Sequence, residues 1–261
     1  MAEAAKAFRN YMGQLSAEDR AIIALDDMSK FQSARLLKSL TGLAGLAKEN
    51  SAAQRKGWDN SVKRTAKQGF LLMADAKYHD TPRTIRDEVK EATFSGARFI
   101  TVHASAGREA LKAAVTGRNA ARAIMEEEGI RTTSLPGSLL AITVLTSLSE
   151  SDCREMYGRS VKDQVRYFES LAEEANFEGL VCSGNDLDVL ESNLIRVNPG
   201  IVLPNTKADS GQQRTATPSE AMERGADYLV FGSAVTKARD RVEAMQIGVE
   251  DIKLGLTRLA A

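Results

Sequence analysis

Asp75, Lys77, His79 and Asp80 stand within six positions of "LLMADAKYHDTP" (71–82), directly behind a run of apolar residues. Two carboxylates and an ammonium group at Asp-x-Lys-x-x-Asp spacing suit proton transfer or electrostatic stabilisation of an anion. Ionisable groups at the end of a buried strand are costly unless they are paired or used. Other apolar runs end in the same way: "AIIALD" on Asp26, "LAGLAK" on Lys48 and "RFITVH" on His103, while "LLAITVL" (139–145) leads into Thr146 and Ser147. Any single Asp or Lys among these is better explained as a solvated loop residue. Five such run ends together describe a shared site.

The runs themselves say what positions these groups. Eight of them recur along the chain, the others being "GLVCS", "LIRVN" and "DYLVFG". Each is short and apolar almost throughout, as parallel strands buried on both faces are. Segments with helical spacing lie between most of them, such as "SVKRTAKQG", "TIRDEVKEATFSGA" and "VKDQVRYFESLAEEANFEG". Gly69, Gly96, Gly179 and Gly225 stand just before the next run, where a helix stop belongs. Eight strand–helix units in 261 residues predict an α/β (β/α)8 barrel forming a single domain over 1–261. A doubly wound open sheet is the alternative, but it needs fewer strands. Segments 1–20 and 234–260 are expected to be flanking helices. In such a barrel chemistry sits at the C-terminal ends of the strands, which gathers the five run ends at one mouth.

Composition narrows the partners. Thirty-five basic residues balance thirty-five acidic ones, so no global field draws nucleic acid or an anionic membrane. Cys153 and Cys182 have no metal-ligand spacing, and Cys182, inside an apolar run, is expected to be a small buried hydrophobe. No stretch approaches the length of a membrane span and no apolar signal core opens the chain, so a cytoplasmic protein is expected.

"ALDD", Lys48, "DAKYHDTPRTI", "VHASAG", "ITVLTS", "NPGI", a "QQR…TP" loop and "DYLVFG" follow one another in unbroken order from about residue 21 to 240. In this order they resemble the orotidine 5'-monophosphate decarboxylase family. The Asp-x-Lys-x-x-Asp motif is shared with related sugar-acid phosphate decarboxylases and hexulose-phosphate synthases, but "KYHDTP", "VHAS" and "TVLTS" are more similar to the nucleotide decarboxylases. The resemblance implies loss of a C6 carboxylate from a pyrimidine without metal or organic cofactor. Lys48, Asp75, Lys77 and Asp80 match the family's network of alternating charge. Lys77 would stabilise the C6 carbanion and protonate it, while Asp75 would face the substrate carboxylate. Like charges 4 Å apart repel by about 4 kcal/mol at an effective dielectric near 20, a strain relieved as carbon dioxide leaves. Asp80 would reach into the neighbouring subunit's site, which implies a homodimer. Asp26 matches a residue that binds ribose hydroxyls, and Thr146, with Ser147 beside it, one that contacts the pyrimidine edge.

The phosphate grip departs from this pattern. The family's Pro-Gly-Ile-Arg and strand-eight Gly-Arg are "PGIV" and "GS" here, so Val202 and Ser233 stand where arginines are expected. Neither can reproduce a charged, bidentate fork. Gln212 (or Gln213) still matches the loop glutamine, and Gly232 the glycine that approaches the phosphate. Either shifted cations such as Lys207, Arg214 or Lys237 bind the phosphate, or the substrate is an orotidine-like nucleoside without one. The second is the main expectation; ordinary orotidine 5'-monophosphate, another substrate and a non-catalytic binder are the alternatives. Strand two departs as well, with Glu49 and Asn50 after Lys48. His79 is expected to pack or hydrogen-bond, His103 to line the pocket or support it, and Trp58 to pack at the surface.

Overall fold

The computed structural model describes residues 13–26, 28–50, 53, 57–130, 135–204 and 215–259. Eight parallel strands close on themselves in chain order: β1 (Ala21–Ala24), β2 (Leu46–Asn50), β3 (Leu71–Tyr78), β4 (Phe99–His103), β5 (Ser138–Ile142), β6 (Gly179–Val181), β7 (Ile195–Asn198) and β8 (Tyr228–Phe231). β8 returns to β1 with Ile22 opposite Val230, so the described sheet has no free edge. The connecting helices are α1 (Lys30–Ser39), α2 (Trp58–Ala66), α3 (Pro82–Phe94), α4 (Arg108–Glu127), α5 (Glu150–Tyr157), α6 (Val161–Ala175) and α7 (Pro218–Glu223). A four-residue helix, α8 (Ser233–Thr236), and a long one, α9 (Arg241–Leu259), follow the last strand. This is the (β/α)8 barrel that the strand–helix alternation predicts.

The apolar strands serve two cores. One set of side chains fills the barrel: Ile22 and Ala24, Leu46, Met73, Phe99, Leu140, Ile195 and Val197, Tyr228 and Val230. The alternate positions, among them Ile23, Ala47, Leu72, Ala74, Ile100, Ala141 and Leu229, pack outward under the helices. This period of two follows from the strand pleat. Carried past the last apolar residue, the inward set arrives at Asp26, Lys48, Asp75 and Thr101.

Several expectations need correction. Residues 13 and 14 are helical, but Ala17–Arg20 form a turn that leads into β1, so the N-terminal helix does not extend to residue 20. β2 begins at Leu46 and runs past Lys48, while β5 stops at Ile142, where its pairing with β6 ends. Gly69, Gly96 and Gly225 sit at φ 83°, 88° and 87° as left-handed stops. Gly179 is not a stop: it opens β6, and a Cβ there would lie 2.6 Å from the Ile195 carbonyl oxygen. Asn176 (φ 63°) ends α6 instead. Trp58 is buried, not superficial. Its indole Nε1–H donates to the Tyr78 hydroxyl at 3.2 Å, which ties α2 to the end of β3.

Candidate active site

A cavity of about 270 Å³ opens at the C-terminal ends of the strands. Asp26, Lys48, Asp75, Lys77, Thr146 and Gly232 line it, with Met73, Val181, Cys182 and Val230 among its apolar walls. β1, β2 and β3 each extend one inward position beyond the barrel's apolar filling, and there they place charge. Lys48 Nζ donates to Asp26 Oδ2 at 2.7 Å and to Asp75 Oδ2 at 3.0 Å. Lys77 Nζ contacts the same Asp75 oxygen. The result is a continuous chain of alternating sign, Asp26–Lys48–Asp75–Lys77. Lys48 and Asp75 are buried, while the Lys77 side chain is 41% exposed and reaches the opening.

Burial and charge oppose one another here. Burial alone would push the Asp75 carboxyl up, but Lys48 and Lys77 outweigh it and hold the group below the ordinary carboxylate range. Burial likewise works against the charged Lys48, yet Asp75 and Asp26 raise its pKa above the usual value. Asp75 and Lys48 are therefore both ionised at neutral pH. The cluster supplies a fixed field, with the Lys77 amine at its outer end.

Local backbone irregularity aims these groups. Ala74 pairs with Ile100 and Tyr78 with Val102, so the segment between them bulges out of register with β4. Lys77 sits in that bulge at φ 53°, a left-handed conformation uncommon for a residue with a side chain. Thr101, fully buried on β4, donates from Oγ1 to Asp75 Oδ1 at 3.1 Å and accepts from the Lys77 amide at 2.9 Å. Nothing in the linear sequence singles this residue out, because a threonine inside an apolar strand passes for β-branched filler.

The other expected site residues divide. Asp80 is exposed and takes the Thr81 amide at 2.6 Å; among the described residues no hydrogen bond or ion pair joins it to the charge chain. Ser147 is exposed and lies outside the cavity lining. Ser233 is half-buried at the first position of α8, beside Gly232. Val202 is half-buried, its amide donating to the Ala216 carbonyl at 3.0 Å. Gln212, with Gln213, Lys207 and Arg214, lies outside the described residues. His103 is half-buried, its ring edge-on to the exposed His79 with centroids 5.7 Å apart. Burial, then His79 and Lys77, lower the His103 pKa, so it is neutral at pH 7. Glu49 turns away from the cavity, and its buried carboxylate takes Ser61 Oγ at 2.7 Å and the Arg64 guanidinium. The Cys182 thiol, buried in the wall, is pushed up by that burial and stays protonated.

Residues 19–246 match the family described as "Orotidine 5'-phosphate decarboxylase / HUMPS family". The chain belongs to that family. Across 250 residues it is 33% identical to the orotidine 5'-phosphate decarboxylase of Heliobacterium modesticaldum, covering 94% of this chain and all of that one. The corresponding protein of Idiomarina loihiensis is 34% identical over 84% of this chain and 91% of its own length. The crystal structure of orotidine 5'-phosphate decarboxylase from Lactobacillus acidophilus superposes with a TM-score of 0.73 at 27% identity, covering 90% of this chain and 99% of that one. The chain is a carboxy-lyase of the orotidine 5'-phosphate decarboxylase type. Among the described residues, no group of three or more His, Cys, Asp or Glu side chains is placed to hold a metal ion, and no helix is long and apolar enough to cross a membrane.

Proposed function

We propose that this protein decarboxylates orotidine 5'-monophosphate to uridine 5'-monophosphate, working as a cytoplasmic homodimer of one-domain barrels. The observation that carries the reading is the Asp26–Lys48–Asp75–Lys77 chain at the barrel mouth, in a protein of this family. Loss of the C6 carboxylate leaves an electron pair on carbon with no conjugated sink. Fixed charge must stabilise it, and a site whose charges are already oriented does so without reorganisation. The Lys77 ammonium stabilises the carbanion and then transfers its proton to C6. Asp75 faces the departing carboxylate and raises the ground state relative to the transition state. Lys48 keeps Asp75 ionised despite its burial. Asp26 has a second oxygen, Oδ1, buried with no partner among the described residues, an acceptor suited to a ribose hydroxyl. Thr146 contributes the pyrimidine edge contact, and Gly232 and Gln212 approach the phosphate. Asp80, which has no role within its own protomer's charge chain, completes the partner's site.

A second reading keeps the chemistry and changes the substrate to an orotidine-type nucleoside. It is favoured by Val202 and Ser233 at the positions where the family's pattern has arginines. Carbon dioxide release from purified protein, measured with orotidine and with its 5'-monophosphate, separates the readings. A strong preference for the monophosphate supports the first, and removal of Lys207, Arg214 or Lys237 should then abolish it. Comparable specificity constants support the second, and Ser233→Arg should then raise the ratio in favour of the monophosphate. Release from neither substrate leaves a binder or a different reaction.

A further inference from the structure

We propose that Thr101 is the positioning residue that sets Lys77 and Asp75 against one another, acting through its hydroxyl rather than by filling space. The register decides why a residue is needed there. On β3 four steps separate Ala74 from Tyr78, whereas on β4 two separate their partners Ile100 and Val102. Asp75, Ala76 and Lys77 thus stand opposite Thr101 alone, two residues more than an even ladder would place there. A bulge forfeits ladder hydrogen bonds, and a buried amide left without a partner is costly. Thr101 Oγ1 accepts the Lys77 amide at 2.9 Å and so replaces the missing ladder partner. That bond holds Lys77 in its left-handed conformation, from which its amine meets Asp75.

The same hydroxyl has one proton, and it goes to Asp75 Oδ1 at 3.1 Å. Asp75 is thereby fixed at both oxygens: Lys48 and Lys77 share Oδ2, and Thr101 takes Oδ1. One hydroxyl thus couples the backbone of the proton donor to the carboxylate beside it. Thr101 is fully buried and is not part of the cavity lining, so it acts on substrate only through these two residues.

The kinetic consequence rests on the decarboxylase reading, whereas the geometric one does not, and the test keeps them apart. Thr101→Val preserves shape and removes the hydroxyl, while Thr101→Ser keeps the hydroxyl and loses the methyl group. Thr101→Val is expected to lower kcat by about ten- to a hundredfold with KM little changed, the scale of one hydrogen bond to a charged group. The acid limb of its pH profile should move up, because the ionised Asp75 has lost a donor. Thr101→Ser should recover most of the rate. Independently of turnover, the Asp75 carboxyl followed by carbon-13 NMR should titrate at higher pH in Thr101→Val than in the parent, and at the parental position in Thr101→Ser. Parental kcat and titration in Thr101→Val, or a Thr101→Ser as impaired as Thr101→Val, overturns the proposal. Should Thr101→Val not fold, Thr101→Ala against Thr101→Ser puts the same question, since they differ by the hydroxyl alone. If the parent releases no carbon dioxide from either substrate, the functional reading fails and the titration alone decides Thr101.

Discussion

Asp75 is engaged on both oxygens and buried, so its charge is held in place before any ligand arrives. Lys77→Ala should therefore leave a folded protein whose turnover is reduced by many orders of magnitude. Enzymes lower barriers by roughly 8–23 kcal/mol in all, and on the proposed mechanism one group that both stabilises and protonates the carbanion would account for a large part. Steady-state carbon dioxide release checks this, and activity within about tenfold of the parent (~1.4 kcal/mol) would remove Lys77 from the mechanism. The same cluster sets a pH dependence of stability. Asp75 has a folded pKa below its unfolded value, so its contribution is complete above about pH 4 and is lost as pH falls through the folded value. Lys48 has a raised folded pKa, so its contribution is complete below about pH 10.4 and is lost as pH rises through the folded value. The unfolding free-energy difference between the parent and Asp75→Asn should be constant from about pH 5 to 9 and shrink below about pH 4. A difference that stays constant into acid would mean that Asp75 is not ion-paired in the folded protein. At this scale the sequence was legible where the chemistry is unusual: charged groups behind apolar runs are conspicuous. Thr101 was not, because its significance comes from a register shift that no linear pattern displays.

Where two elements meet, single atoms decide packing. Gly117 on α4 faces α3 so closely that a Cβ would lie 2.1 Å from the Arg86 carbonyl oxygen. Alanine in a helix gains up to about 1 kcal/mol over glycine, whereas overpacking costs about 1–3 kcal/mol. The obstacle is backbone and cannot swing aside, so Gly117→Ala should lower stability by about 1 kcal/mol or more in urea unfolding. Trp58→Phe should cost about 1 kcal/mol as well, because it strands the buried Tyr78 hydroxyl. An unchanged urea midpoint would mean that the indole bond contributes nothing. Strands were readable because burial on both faces makes them apolar throughout, and most helices because their spacing repeats. The errors share one cause, that tertiary contact overrides local composition. A tryptophan among charged residues suggested the surface, yet it is buried, with its indole on the Tyr78 hydroxyl of β3. A glycine after a helical segment suggested a stop, yet at position 179 it is the neighbouring strand that excludes a side chain. Strand ends moved because pairing, not hydrophobicity, fixes where a ladder finishes.

At the scale of the whole molecule, the exposed Asp80 at the barrel mouth poses the question of a second chain. If two protomers share sites, Lys77→Ala and Asp80→Ala proteins, each nearly inactive, should regain activity when mixed, since each mixed dimer holds one site with both residues intact. A monomer in sedimentation, or no recovery after verified subunit exchange, would count against shared sites. The closed barrel has a consequence for synthesis. β1 finds one neighbour in β2 early, but its other side waits for β8, about 200 residues later. At roughly 5–20 residues per second, that interval lasts on the order of 10–40 s. Throughout it the growing chain presents an unpaired row of backbone amides and carbonyls, open to any passing strand. The ring that leaves the described sheet without an edge can thus close only once β8 has been made.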